Sequence, residues 1–377
     1  MKLSVITLHT VNNYGSALQT YATQTVLEDL GCDVEFVDYY RKDNTGEAAV
    51  EKAMHSAAMQ RYKNIWDKND FTRWLVKIPL RMMLKRKLAP MQNFIKERIH
   101  LTPKAYYSFE EIVQDVPQAD VYITGSDQVW NSIWNKGIEK AFFLEYAPEG
   151  KKRVAFSASI GRESLDEYEI APTREMLQKY AYISMREQSG VDLLRDMGID
   201  STLILDPTLM LNAESWRKLA IRNQETEPYL LIYQLNTNKQ MDQYAVELAK
   251  RNQWKIIRVS YGYSGKQQAG KCLVCPKVEV LLGYFDRAAC VLTDSFHATA
   301  FSLNLSTPFI SILPERFGTR INNILQLTGT EHRRLDSYQD FEIVNRAIDF
   351  NQVQNILDEK RQAGLKFLEK AILNEES

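Results

Sequence analysis

The sequence predicts an α/β protein of two Rossmann-like domains facing a central cleft, with a helical insertion in the first domain. Three observations predict it. Short apolar runs of strand type alternate with helical runs in both halves of the chain. Polar and small-residue clusters follow those strands, at the edge where open α/β sheets bind ligands. A break at Asp206-Pro207-Thr208 separates two series of such units. With 377 residues, the chain is long enough for two full cores. The expected first domain runs over 1–205, and the second over 206–350.

Lys+Arg 47 against Asp+Glu 48 leaves a net charge of −1, so no global field favours nucleic acid or a membrane. Four cysteines in so large a chain argue against a disulfide framework and fit a reducing compartment. The run Met1 to Leu8 is too short and too polar for a signal-peptide core, and no stretch reaches the apolar length of a membrane span. The expected location is therefore cytoplasmic.

Leu3 to Leu8 reads as a buried strand, the loop His9 to Ser16 follows, and Ala17 to Leu30 reads as a helix ended by Gly31. Asp33 to Tyr39 is the next strand, which completes a βαβ opening. The loop lacks a Gly-x-Gly-x-x-Gly pattern, so a dinucleotide fingerprint is absent. His9, Asn13 and Gln19 read either as ligand-facing groups or as turn and capping chemistry.

The stretch from about 42 to 103 has few strand signals and reads as inserted helices. Within it, Phe71 to Lys87 mixes bulky apolar residues with lysines and arginines and has no acid. Such a segment either lies on an anionic membrane surface or packs on the sheet with a solvated basic face. Pro79 is expected to interrupt any single helix there.

Asp120 to Thr124 is a strand ending in Gly125-Ser126-Asp127-Gln128-Val129-Trp130-Asn131. Arg153 to Ser157, Tyr182 to Met185 and Thr202 to Leu205 are further strands. The second half repeats the rhythm, with strands at Tyr229 to Gln234, Lys255 to Val259, Ala289 to Leu292 and Pro308 to Leu313. A Gly/Ser-rich exit, Ser260 to Gly265, follows the second of these. A closing helix over about 352–373 is a candidate to pack back across the first domain.

The strand ending at Leu292 meets Thr293-Asp294-Ser295-Phe296-His297 and then a helical run. Asp294 or Ser295 can cap that helix, and His297 falls in its first turn. Free N–H groups and the positive end of the helix dipole make this a natural anion site. A histidine there can donate to a phosphate or carboxylate, or move a proton near neutral pH. Its bland alternative is a packing or capping histidine.

Five stretches in order carry a resemblance: Asn13 to Gln19, Gly125 to Asn131, Ser184-Met185-Arg186-Glu187, Asp206-Pro207-Thr208-Leu209, and Thr293 to His297. Together they resemble the polysaccharide pyruvyl transferase family over about residues 3–330, most weakly in the inserted helices. The resemblance implies a GT-B-like pair of domains and transfer of a pyruvyl group from phosphoenolpyruvate to a sugar as a ketal. It implies phosphoenolpyruvate and a glycan acceptor as partners, the glycan either free or lipid-linked, and no cofactor. A divalent-metal requirement is left open, since no metal-ligand cluster stands out. The Phe71–Lys87 segment makes contact with the inner membrane face an attractive expectation.

Such a reaction needs basic groups and aimed N–H donors for the donor anion, a general acid, and a base for the sugar hydroxyls. The candidates for the donor are Arg186, Arg258, Ser295, His297 and Arg320. His297, Asp127 and Arg186 are the expected catalytic set, with Asp127 activating the acceptor hydroxyl. His9, Asn13, Tyr14, Gln19, Ser126 and Asp127 are the expected acceptor-side residues. Arg258 reads equally as an arginine paired with an acid, and Arg320 reads as a surface ion pair. Cys272-Leu273-Val274-Cys275 lacks a second pair at zinc-finger spacing and reads as structural. Two competing functions keep the same fold: a glycosyltransferase using a nucleotide sugar, and a non-catalytic glycan-binding protein.

Overall fold

The computed structural model describes all residues except 12, 43–44, 262–268, 315–317 and 374–377. Most of the Gly/Ser-rich exit expected at Ser260 to Gly265, from Gly262 onward, lies outside the described residues. So does the start of the Arg-Phe-Gly-Thr-Arg run that leads to Arg320.

The first sheet contains β1 (Lys2–Ile6), β2 (Asp33–Tyr39), β3 (Leu101–Tyr106), β4 (Val121–Thr124), β5 (Lys152–Ala158), β6 (Tyr182–Met185) and β7 (Thr202–Leu203). Its spatial order is β3-β2-β1-β4-β5-β6-β7. The second contains β8 (Tyr229–Tyr233), β9 (Lys255–Ser260), β10 (Lys271–Val274), β11 (Cys290–Thr293) and β12 (Phe309–Ser311), in the order β10-β9-β8-β11-β12. All of these strand pairs are parallel. Parallel strands need both faces covered, which is why β8 is buried at all five positions, Tyr-Leu-Leu-Ile-Tyr. The chain reverses its direction of travel between β1 and β4, and again between β8 and β11. Ligands of doubly wound sheets settle at these two crevices.

Two strands differ from the sequence expectation, and both lie at sheet edges. β3 opens inside the stretch expected to be helical and carries an exposed proline, Pro103. β10 carries Cys272 and has no fully buried residue. Edge strands bury one side only and tolerate proline, so their apolar signal is weak.

The insertion also departs from expectation. Asp70–Arg98 is one helix that passes through both Pro79 and Pro90. Its start is fixed by a capping box: Thr72 N–H donates to Asn69 Oδ1 at 2.9 Å, and Asn69 N–H donates to Thr72 Oγ1 at 3.3 Å. Pro79 lies on the solvent side, where opening the helix to clear its ring disturbs no packing. Met91, Phe94 and Ile95 anchor the C-terminal third in the main core.

That core runs between the two sheets. It joins Val5, Phe36 and Ile123 of the first to Leu231, Val259 and Val291 of the second through the helices sandwiched between them. Trp216 is wholly buried there, with its ring 5.9 Å from Tyr21 and 5.0 Å from Phe301. The outward faces have separate cores around Phe142 and Leu177, and around Leu230 and Tyr244. The closing helix, Phe350–Leu368, lies beside the helices Pro207–Met210, Phe296–Leu305 and Thr319–Thr328. Near its end, Phe367 meets the Tyr182 ring of β6 edge-on at 6.4 Å. Among the described residues, no helix is long and apolar enough to cross a membrane.

Candidate functional site

The exits of β4, β6 and β7 converge on one guanidinium. Arg186, directly after β6, has no exposed side-chain surface. Its Nη1 donates to Asp206 Oδ2 at 2.8 Å and its Nη2 to Asp127 Oδ1 at 3.2 Å, while Glu187 Oε2 lies 3.5 Å from its Nε. Asp127 follows β4 in the left-handed region, with φ 76. That conformation is uncommon outside glycine, and here it turns the carboxylate inward. Its Oδ2 accepts from Ser16 Oγ at 2.7 Å. Asp206 is equally enclosed: Oδ2 accepts from Ser126 Oγ at 3.2 Å, and Oδ1 from the N–H and hydroxyl of Thr208 at 2.9 and 2.6 Å. Glu187 gathers Ser159 Oγ at 2.7 Å and the N–H groups of Ile160 and Gly161 at 3.2 Å.

The second sheet contributes the exit of β11. Ser295 is the N-cap of the helix Phe296–Leu305, all ten residues of which are buried. Asp294 instead accepts from the N–H groups of Leu235 and Asn236 at 2.7 and 2.9 Å and so ties down the exit of β8. His297, in the first turn, is buried, and its Nε2 has no hydrogen-bond partner. It faces the start of the first-domain helix Tyr14–Asp29. A Cβ on Gly15 would lie 2.1 Å from His297 Nδ1, so only glycine lets the two helix starts approach this closely.

Arg320, in the first turn of the helix Thr319–Thr328, completes the group. It is half-buried, makes no ion pair among the described residues, and its Nε lacks a partner. Its guanidinium and that of Arg186 each lie 5.6 Å from the centre of the Phe296 ring. Cavities of about 520 Å³ and about 510 Å³ flank it. The first is lined by Arg186, Asp206, Phe296, Leu327 and Lys360, the second by Trp134, Gly161, Arg162, Glu163 and Glu187. His297 borders neither cavity, and a larger cavity, about 880 Å³, lies away from this group around Tyr39, Arg41, His55 and Tyr107.

The electrostatics follow from burial and from these neighbours. Burial lowers the His297 imidazole to about 4; Asp206 and Asp127 oppose the shift, and Arg186 and Arg320 add to it. The imidazole is therefore neutral near pH 7. Burial works against ionised Asp127, but Arg186, His297 and the Ser16 hydroxyl outweigh it and hold the carboxyl well below the usual range. A carboxylate held so low is a weak base. Burial and Arg186 bring Arg320 down to about 10, against the pull of Asp127, Glu187 and Asp206, so it remains a cation at neutral pH. Arg186 is already neutralised by carboxylates and has little charge left to offer a ligand. Arg320 has no such ion pair among the described residues.

The structure thus brings together Asp127, Ser126, Arg186, His297 and Arg320, with Ser295 as the cap beneath. Other expected site residues are engaged elsewhere. His9 Nε2 lies 3.0 Å from Asp38 Oδ1 and borders a separate small cavity with Tyr40 and Met91. Asn13 caps the first helix by accepting from Gly15 N–H at 2.8 Å. Gln19 is fully buried, donating to Thr7, Ser16 and Thr20. Tyr14 donates to the Pro276 carbonyl at 2.6 Å, a contact between the two halves. Arg258 bonds Gln234 at 3.0 Å and pairs with Asp242 at 2.8 Å. It sits between Ile257 and Val259, which face the central core, so its side chain lies on the opposite face of the sheet from His297. Arg320 is part of the cluster and not of a surface ion pair. The sequence does not mark Asp206, Glu187, Phe296 or Gly15 as site residues, although each stands in one of the five stretches that carry the family resemblance.

None of the curated proteins matches the chain in sequence. Solved structures of the same fold do match. S. aureus MnaA with UDP is 9% identical, covering 100% of this chain and 98% of that one at a TM-score of 0.56. The UDP-GlcNAc 2-epimerase of Neisseria meningitidis bound to UDP-GlcNAc is 11% identical, covering 99% and 100% at 0.51. Its counterpart from Methanocaldococcus jannaschii is 12% identical, with the same coverage, at 0.50. At these identities the likeness shows the GT-B fold alone. The family model described as polysaccharide pyruvyl transferase matches residues 13–316.

Proposed function

The chain belongs to the polysaccharide pyruvyl transferase family, and from that premise we propose that it moves a pyruvyl group from phosphoenolpyruvate to a sugar of a bacterial cell-surface polysaccharide or its precursor. The observation that carries this reading is His297: a buried, neutral imidazole whose Nε2 has no hydrogen-bond partner among the described residues, at a helix N-terminus and grouped with Arg320, a cation with no ion pair among the described residues. That combination suits a small, dense anion arriving with a proton to exchange.

In the proposed mechanism Arg320 and the first turn of the His297 helix take the phosphate and carboxylate of the donor. Entry of that negative charge raises the proton affinity of His297, which collects a proton and passes it to the methylene carbon of the donor. C2 then carries oxocarbenium character. One sugar hydroxyl adds there, phosphate leaves, and a second hydroxyl closes the ketal. The two hydroxyls release two protons; one balances the methyl group formed and one goes to the phosphate. Arg186 positions Asp127 and Asp206 around the imidazole and does not clamp the donor itself. Asp127 and Asp206 balance the imidazolium while it exists. The half-exposed Trp134 beside Arg162 and Glu163 offers an apolar face and polar groups to an acceptor sugar on the other side of Arg320.

Phosphate release from phosphoenolpyruvate in the presence of lipid-linked or free glycan acceptors tests the reading. Wild-type protein should release phosphate, and His297→Gln should not. Turnover of a nucleotide sugar, with none of phosphoenolpyruvate, would replace this reading by that of a glycosyltransferase. Glycan binding without turnover of either donor would leave a recognition protein.

A further inference from the structure

The helix Asp70–Arg98 presents an apolar stripe that none of the described residues covers. Phe71, Trp74, Leu75, Ile78 and Met82 follow the i, i+3, i+4, i+7, i+11 spacing of one helical face. All five are exposed, with Phe71 at 65%, Trp74 at 52% and Met82 at 60%. The Phe71 and Trp74 rings stack at 6.2 Å, so the stripe begins with a flat aromatic plate. The opposite side of the helix is accounted for: Leu80 packs with Val50, Met54 and Trp66 of the insertion.

Charge is distributed unevenly along the same helix. Arg73, Lys77 and Arg81, nearer its start, are paired with Glu47, Glu51 and Asp67 of the insertion. Lys85 and Arg86, one turn beyond Met82, are exposed and make no ion pair among the described residues. Lys85 stands three and seven residues after Met82 and Ile78, so it continues the apolar face, and Arg86 stands four after Met82. A protein partner that matched this surface would need an acidic patch beside an apolar groove. A bilayer with anionic headgroups supplies both properties without any complementary shape: an acyl boundary for Phe71, Trp74, Leu75, Ile78 and Met82, and phosphates for Lys85 and Arg86.

We propose that this face of the insertion docks the protein on an anionic lipid surface, with the helix lying in the interface plane. The proposal needs no chemistry in the cleft and stands apart from the pyruvyl reading. Docking here would hold the insertion at a lipid surface, and Glu51 and His55 of that insertion also line the cavity around Tyr39 and Tyr107.

Flotation of the full chain with phosphatidylcholine vesicles, with and without phosphatidylglycerol, is the test. The wild type should float with the anionic vesicles, remain behind with phosphatidylcholine alone, and release as salt is raised. The triple variant Phe71→Ser, Trp74→Ser, Met82→Ser and the double variant Lys85→Glu, Arg86→Glu should each lose binding by roughly tenfold or more. Both should keep the wild-type thermal midpoint, because these side chains lie outside every packed cluster. Failure of the wild type to float with anionic vesicles at low salt overturns the proposal, as does equal flotation of both variants. Sedimentation showing a wild-type dimer that the triple variant converts to monomer would assign the stripe to a second copy of the chain instead.

Discussion

Gly15 and His297 come from different halves of the chain and share a gap with no room for a methyl group. Alanine ordinarily stabilises a helix relative to glycine by about 1 kcal/mol, yet Gly15→Ala must push the imidazole aside. Turnover should fall on the order of a hundredfold, as misplacement of a reacting group by about 1 Å does, while the thermal midpoint moves little. Steady-state kinetics alongside calorimetry would separate the two effects. His297 itself makes stability depend on pH. Its folded value of about 4 lies below the ~6.5 of an unperturbed imidazole. Between those values the unfolded chain binds the extra proton. The stability gained by keeping the ring neutral is complete above about pH 6.5 and is lost as pH falls towards 4. Urea denaturation at pH 7 and pH 5 should show a loss on acidification that His297→Gln reduces by on the order of 2 kcal/mol. His297 was legible in the sequence because a strand, a capping cluster and a helix announce its position. Gly15 lies within the stretch Asn13 to Gln19, but its reason, a contact across 282 residues of sequence, has no local signal.

At the scale of elements, the site is a knot of strand exits held by charge. Arg186 ties β4 to β6 and to the segment after β7 through Asp127, Glu187 and Asp206, all three of them buried residues. Removing one partner from such a buried set leaves charge uncompensated. Asp206→Ala should therefore cost about 3 kcal/mol or more in urea denaturation, with loss of turnover following from the loosened exits. A midpoint equal to wild type would mean that the network is redundant. β2 and β6 fall at the residues the pattern predicts, because each carries a buried apolar series, Val34, Phe36, Val37 and Tyr39 in β2 and Ile183 and Met185 in β6. β3 and β10 do not, since edge strands need only half that signal. The ion network was half legible. Arg186 and Asp127 stood out as strand-end polar groups, but sequence cannot say that they neutralise each other, and that pairing is what moves the expected donor contact to Arg320.

For the whole molecule, the decisive feature is that the core does not stop at the boundary between the two sheets. Val5 and Ile123 on one side share a cluster with Leu231 and Val291 on the other. Tyr14 to Pro276, Thr319 to Glu163 and Arg98 to Glu279 add polar ties across the same line. Two halves joined by a continuous apolar core cannot lose one sheet without exposing the other. The sequence pattern marks two series of strands and helices, because strand periodicity reports each sheet but not what lies between them. Thermal unfolding should accordingly be a single transition, with calorimetric and van't Hoff enthalpies in agreement. If phosphoenolpyruvate binds as proposed, between Arg320 of one half and the His297–Gly15 contact that joins both, it should raise that one midpoint without splitting it. At about one hundred times its dissociation constant the added stability is about 2.7 kcal/mol. Arg320→Gln should abolish the rise while leaving the ligand-free midpoint close to wild type, since this guanidinium has no ion-paired carboxylate among the described residues to abandon. Two resolved transitions, or a rise that survives in Arg320→Gln, would show that the halves fold independently or that the donor sits elsewhere.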